Sequence, residues 1–405
     1  MATAFLLPLV MLAAPAAEVP MDEMSRLARS SNVFGLDVYG KLRAAPGNLA
    51  VSPTSITMAL AMAWGGARGE TAEEMKSVLR FEGSQDEVMR ASGRLAAALG
   101  DRSRPIVFRI ANRLFGEKST RFEPAFLDAT RAAYGAPLEA VDFKGAPEEA
   151  RKLINNWVET QTERRIKDLV PPGGVDGSTR LALANAIYFL GDWQEPFEKH
   201  ATQPMPFLVS AEKRKDVATM HRTGRLRIAQ KDGLKALELP YKGGTMSMLV
   251  MLPDRVDGIA ALEESLTIER LDAIVKSLSP TRVFVALPRF EVDPSSALAL
   301  GETLRSMGMG RAFDPERADF TGIANPPDRR DRLAISDVFH KAFVKVDEKG
   351  TEAAAATAVM MRPTSARIEE PPVEFKADHP FLFLIRDHAS GMVLFMGRIA
   401  DPSVK

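Results

Sequence analysis

Residues 348–358 read Glu-Lys-Gly-Thr-Glu-Ala-Ala-Ala-Ala-Thr-Ala, and residues 359–372 continue Val-Met-Met-Arg-Pro-Thr-Ser-Ala-Arg-Ile-Glu-Glu-Pro-Pro. Intrinsic propensity alone makes the alanine run a helix. The second stretch has no apolar periodicity and is broken by Pro363, Pro371 and Pro372. It reads as a long exposed loop, and loops of that length without internal structure are usually functional. A helix-prone run of small residues feeding such a loop does not fit a resting globular fold.

The rest of the chain is ordinary by comparison. It has 405 residues, 45% of them apolar and 26% charged, with 53 basic and 53 acidic side chains and no cysteine. This composition is globular and excludes bulk disorder. The missing cysteines exclude a disulfide scaffold, a thiol nucleophile and any cysteine-based zinc site. Zero net charge gives no reason to expect nucleic-acid binding. No apolar run approaches the roughly 18 residues that a membrane span needs. Residues 1–17, MATAFLLPLVMLAAPAA, are apolar from Phe5 to Ala14 apart from Pro8, and end in small residues suited to signal-peptidase cleavage. They predict a signal peptide and a secreted or extracellular protein (periplasmic in a bacterium), although the usual basic residue near the start is missing. No N-x-[ST] sequon occurs.

Periodicity divides the chain in two. Helices are expected over Met21–Arg43, Ser52–Trp64, Glu70–Phe81, Gln85–Leu99, Phe122–Tyr134 and Pro147–Ile166, the last with Leu153, Trp157 and Ile166 on one side. Ile106–Phe115 and Leu138–Phe143 read as strands among them. The second half is strand-rich, with runs at Leu181–Leu190, Leu226–Ala229, Leu234–Pro240, Met246–Leu252, Val283–Val292, Leu333–Val346, Pro380–Ile385 and Met392–Ile399. One long helix, Leu262–Ser279, interrupts it. No repeat and no interdomain linker stands out, so an α+β unit is predicted.

Catalytic signatures are missing. The five histidines, His200, His221, His340, His379 and His388, form no metal-ligand spacing. There is no G-x-S-x-G nucleophile turn and no phosphate-cradling G-x-x-x-x-G-K-[ST] loop. Gly308-Met309-Gly310 lacks the third glycine of a dinucleotide fingerprint. The carboxylate pairs Glu73-Glu74 and Glu263-Glu264 fall on predicted helices and read as solvated surface. Neither an enzyme nor a cofactor is expected.

Taken together, the motifs resemble the serpins over nearly the whole chain after residue 20. They are Ser52-Pro53-Thr54-Ser55, Gly66-Ala67-Arg68-Gly69-Glu70-Thr71, and Ala184-Asn185-Ala186-Ile187-Tyr188-Phe189 followed by Gly191 and Trp193. Leu287-Pro288-Arg289-Phe290, His340-Lys341-Ala342 and the alanine-rich stretch come next. Phe375-Lys376-Ala377-Asp378-His379-Pro380-Phe381-Leu382-Phe383 and Leu394-Phe395-Met396-Gly397-Arg398 close the series. Leu190, where the family often has Lys, and Arg164-Arg165, near which it often has Gly-Lys, depart from the pattern.

The resemblance implies one serpin domain over residues 18–405, with a reactive loop at about 348–371, acting as a monomeric suicide substrate for a serine protease. The protease cuts the loop and is held as an acyl-enzyme while the loop enters the main sheet as a new strand, a rearrangement long attributed to this family. It also implies a hinge of Glu348, Gly350, Thr351, Ala353, Ala355 and Thr357. Strand alternation puts Thr351, Ala353, Ala355 and Thr357 on one face, all small and uncharged, so a buried central position can accept them. A new central strand gains on the order of ten ladder hydrogen bonds at about 0.5–1.5 kcal/mol net each, which the resting state forgoes and is held kinetically. Ser52, Ser55, Asn185 and His340 are expected to form a polar cluster where the strands part. Arg289 is expected to pair with Glu348, and Trp193 to pack the hinge opening. Family spacing, sixteen residues after Glu348, puts the reactive bond at Thr364–Ser365, suited to an elastase-like or subtilisin-like protease. Arg367–Ile368 is the alternative and would suit a trypsin-like one. Arg362–Pro363 is a poor bond, and Met361–Arg362 is a further candidate. The same fold without inhibition, as a binding or chaperone protein, and an unrelated secreted hydrolase are the competing readings.

Overall fold

Ser52 starts the second helix in the way its neighbours dictate. Its hydroxyl accepts the Ser55 N–H at 3.2 Å, and Pro53, which has no N–H to lose, takes the first helical position. A computed structural model describes residues 22–101, 103–135, 138–351 and 370–404. Among the described residues the helices are α1 (Glu23–Leu42), α2 (Pro53–Gly65), α3 (Gly69–Val78), α4 (Gln85–Leu99), α5 (Pro124–Tyr134), α6 (Pro147–Gln161), α7 (Ile259–Ser265), α8 (Ile268–Ser277) and α9 (Gly301–Ser306). The strands are β1 (Leu49–Val51), β2 (Ile106–Glu117), β3 (Glu139–Val141), β4 (Leu181–Asp192), β5 (Gln203–Leu208), β6 (Arg214–Lys231), β7 (Leu234–Pro240) and β8 (Met246–Pro253). They continue with β9 (Ser279–Pro288), β10 (Phe290–Val292), β11 (Leu298–Ala299), β12 (Ile335–Val346), β13 (Gly350–Thr351), β14 (Val373–Lys376), β15 (Phe381–Asp387) and β16 (Val393–Ile399).

Two sheets result. The main sheet runs β10-β12-β13-β4-β2-β3, with β11 beside β12. The second runs β1-β16-β15-β8-β7-β6-β9-β14, with β5 beside β6. α2 is apolar nearly all round and buried from Pro53 to Trp64, as a helix without a polar face must be. Along β4 the side chains alternate between two cores. Leu181, Leu183, Ile187 and Phe189 join the large cluster around α2, while Ala182, Ala184, Ala186 and Tyr188 join a smaller one with Ala150, Ile154 and Val158 of α6. The main sheet is therefore covered on both faces, and a strand entering it would be buried on both.

Several expectations need correction. The helix from Pro147 ends at Gln161, because Glu163 and Arg164 take positive φ values of 50° and 64°, and Leu153 points to solvent at 41% exposure. The helix expected over Leu262–Ser279 is two helices, α7 and α8, with Thr267 capping the second by accepting the Arg270 N–H. The run Val283–Val292 is divided at Arg289 between the two sheets. β5, with Pro204 and Pro206, was not anticipated; it pairs only with β6, the edge position that proline tolerates. Glu263 is not solvated: it is buried, accepting hydrogen bonds from the Tyr39 hydroxyl at 2.6 Å and Arg398 Nη1 at 3.0 Å.

Candidate functional site

β4 and β12 lie side by side and parallel, paired from Ile335–Leu181 to Phe343–Tyr188. Beyond Tyr188 the two strands separate. Gly350 and Thr351 fill the opening: Thr351 pairs antiparallel with Val346 on one side and with Gly191 on the other. This two-residue strand stands where propensity alone would start a helix. Gly350 is required here by close approach, since an added Cβ would lie 1.9 Å from the Gly191 carbonyl oxygen. Its φ is not positive, so the requirement for glycine here is steric and not conformational.

Aromatic side chains hold the opening. Trp193 stacks on Tyr241, with ring centres 4.7 Å apart and planes 10° from parallel, and meets Phe197 edge-on. The Trp193 indole N–H donates to the Asp347 carbonyl at 3.0 Å, and its backbone N–H to the Lys349 carbonyl at 2.6 Å. The Phe197 N–H donates to the Glu348 carbonyl at 2.7 Å. The hydroxyls of Tyr241 and Thr351 are 2.7 Å apart in the core. Burial pushes the Tyr241 phenol far above its ordinary pKa, so it stays an O–H.

Glu348 is buried while its partner is not. Arg289 donates to its carboxylate through Nε at 2.7 Å and through Nη2, and the Thr202 hydroxyl donates to the same oxygen. Burial by itself would raise the Glu348 pKa, but the hydrogen bonds from Arg289 and Thr202 outweigh it and hold the carboxyl below its usual value.

Below the opening, Ser52, Ser55, Asn185 and His340 meet. Ser52 N–H donates to His340 Nε2 at 3.1 Å, so the ring carries its proton on Nδ1 and donates it to the Asn185 side-chain oxygen. The Asn185 amide faces the Ser55 carbonyl at 2.6 Å, the Ser55 hydroxyl at 2.7 Å and the Asn112 side-chain oxygen at 2.6 Å. The Ser52 hydroxyl donates to the Leu394 carbonyl at 2.6 Å, tying α2 to the second sheet. Burial drops the His340 pKa to about 3. The imidazole is neutral and enclosed, suited to a hydrogen-bonded strut and not to proton transfer with a substrate.

Asn112, Tyr241 and Thr202 belong to these clusters and were not singled out from the sequence. Asn112 sits opposite Asn185 in the β2–β4 register, which only strand pairing reveals. The hinge positions Ala353, Ala355 and Thr357, the bonds Thr364–Ser365 and Arg367–Ile368, and the leader 1–17 lie outside the described residues. None of the helices among the described residues is long and apolar enough to cross a membrane.

Comparison with known proteins agrees with this architecture. A family model described as Serpin (serine protease inhibitor) matches residues 29–402. The human leukocyte elastase inhibitor is 40% identical over 389 residues, covering 94% of this chain and 100% of that protein. Human Serpin B3 is 38% identical over 405 residues, with the same two coverages. The solved structure of Serpin48 from the insect Tenebrio molitor superposes with a TM-score of 0.82 at 33% identity, covering 93% of this chain and 98% of that one. The strand seam with a chain segment wedged into its open end, together with these matches, makes this chain a member of the serpin family.

Proposed function

We propose that the protein inhibits serine proteases as a suicide substrate, and that its hinge is the start of an inserting strand. The observation that carries this reading is Thr351, already paired antiparallel to both β4 and β12 at the end of their direct pairing. Each further residue to enter replaces one parallel contact between β4 and β12 with two antiparallel ones, the geometry slightly more stable per residue. Thr351 shares the face of Phe189 and Ile187, toward α2, and Ala353, Ala355 and Thr357 follow it in alternation. In that register Thr357 comes between Asn185 and His340, with a hydroxyl to offer the polar groups it separates.

The reactive bond we favour is Thr364–Ser365, with Arg367–Ile368 as the alternative. A small residue before the cut suits an elastase-like or subtilisin-like enzyme, and relatives at about 40% identity carry the name leukocyte elastase inhibitor. Residues 18–405 would act as one monomeric unit. Residues 1–17 would be an export leader, in which case protein recovered from outside its cell of origin begins at Glu18; an intact Met1 or Ala2 on that material overturns this.

The test is incubation with elastase-, subtilisin- and trypsin-type proteases. An SDS-resistant adduct, a released peptide beginning at Ser365 and a large rise in melting temperature after loop cleavage are expected. Clean turnover of the loop with no adduct would favour the same fold without inhibition.

A further inference from the structure

Just beyond the foot of the seam, a cavity of about 430 Å³ is lined by residues 173–180, which lead into β4, and by residues 330–336, which lead into β12 and form its start. Its walls include Ser178, Thr179, Arg180, Arg330, Arg332 and Ile335. Three guanidinium groups thus line it against one carboxylate, Asp176. That carboxylate is occupied by its own turn, accepting the Ser178 N–H at 2.8 Å, the Ser178 hydroxyl at 2.6 Å and the Thr179 N–H at 3.1 Å. Arg330 is bound to Asp328 at the rim. Arg180 gives Nη1 to the Gly177 and Thr179 carbonyls, and its Nε lies 3.8 Å from Asp331, which already holds Lys144 at 2.8 Å. The Nε atoms of Arg180 and Arg332 are both buried without a hydrogen-bond acceptor. The Nε atoms of Arg113 and Arg222 elsewhere in the fold are in the same state, so what marks this site is the convergence of three guanidinium groups on one cavity.

The hinge register leads to this cavity. From Thr351, opposite Gly191 and Val346, each residue descends one step along both strands. The irregularity between Ile335 and Val338 absorbs one extra residue of β12. Met361 would then fall between Leu181 and Ile335, and Thr364 between Ser178 and Arg332, in the mouth of the cavity.

We propose that the arginine-lined cavity is a receptor for the α-carboxylate that cleavage creates at the end of the inserted loop. This rests on the loop-insertion reading and adds to it an end-stop of defined chemistry. Hydrolysis adds one water across the Thr364–Ser365 bond, leaving a carboxylate on Thr364 and an ammonium on Ser365. While the loop is still esterified to a protease serine, the same carbonyl carries no charge. The cavity therefore distinguishes the spent, released inhibitor from the trapped complex, and favours the former.

The experiment uses the intact protein and two N-acetylated peptides of residues 351–364, TEAAAATAVMMRPT, one ending in a free carboxylate and one in an amide. Both should anneal into the seam and raise the melting temperature. The free acid should be released about tenfold more slowly than the amide, the difference expected of a charge-assisted contact. Arg332→Gln and Arg180→Gln should each shrink the acid-to-amide ratio. That ratio is taken within one protein, so a general loss of stability cancels. Equal release of the two peptides from the unsubstituted protein would overturn the receptor while leaving insertion standing. Failure of both to anneal would overturn insertion, and the receptor with it.

Discussion

The imidazole of His340 on β12 donates to the side-chain oxygen of Asn185, the residue directly across the seam on β4. Beside the backbone ladder, this side-chain contact ties together the two strands that an inserted loop must separate. Ser52 fixes the other ring nitrogen, and Ser55 and Asn112 fix the amide. The cluster can let go only by exchanging partners, because a buried polar group left without one costs about 1–3 kcal/mol.

Acid should loosen this strut. His340 is buried neutral with a pKa of about 3, against 6.5 when unfolded. The unfolded chain therefore binds the proton first, and stability is lost as pH falls from 6.5 towards 3, at about 1.4 kcal/mol per pH unit. Between pH 7 and pH 5 the wild type should lose roughly 2 kcal/mol more than His340→Gln, read from equilibrium denaturant unfolding at each pH. Parallel pH profiles for the two proteins would contradict it.

The pair at the hinge should respond unequally to its two truncations. The Glu348 side chain is 3% exposed and that of Arg289 44%. Arg289→Ala strands a buried carboxylate with little but the Thr202 hydroxyl, and should cost about 2–3 kcal/mol. Glu348→Gln frees an arginine that water can solvate, and should cost about 1 kcal/mol or less. Thermal unfolding of the two variants gives the comparison, and an equal or reversed order would count against this account of the site.

Much of this was legible before any coordinates. α4 and β7 have the limits expected from periodicity, Gln85–Leu99 and Leu234–Pro240, and the structure shows Ser84 and Glu87 capping the first. The polar cluster could be assembled because its members sit in short motifs. Other features depend on pairing between segments far apart in sequence. Asn112 matters only because β2 and β4 put it opposite Asn185. Tyr241 matters because an isolated bridge to Trp193 brings their rings together. The division of Val283–Val292 was invisible because both halves are apolar and strand-forming, and only the break at Arg289 separates the strand of one sheet from that of the other. Glu263 looked like surface because its partners, Tyr39 and Arg398, lie more than a hundred residues away.

Gly350→Ala tests the close approach at the opening. The added methyl would meet the Gly191 carbonyl oxygen at 1.9 Å and Asp192 Cα at 2.7 Å, both backbone atoms that cannot swing aside. The hinge should be expelled from the seam at a cost of about 1–3 kcal/mol, the usual range for overpacking. Amide exchange at Trp193, whose N–H is held by the Lys349 carbonyl, should then accelerate. Unchanged protection there would mean that the seam adapts.

Thr351→Arg addresses the inhibitory step itself. Thr351 is fully buried, pairs with Gly191 and Val346, and shares a hydrogen bond with Tyr241. An arginine there must either bury an unpaired guanidinium, at several kcal/mol, or keep the hinge outside the sheet. The second course expels the same two-residue strand as Gly350→Ala and should cost the resting protein a similar amount, about 1–3 kcal/mol. On the insertion reading proposed above it is decisive after cleavage, because insertion would start at this residue and compete with deacylation of the protease. A protease should therefore cut the variant at the wild-type bond yet escape, turning an inhibitor into a substrate. The measurement is the fraction of cleaved protein found in an SDS-resistant adduct. It should fall from most of the cleaved wild type to little or none in the variant, while the mass of the released peptide stays the same. A variant that formed the adduct at wild-type yield would show that insertion does not start at Thr351, and the seam between β4 and β12 would need another role.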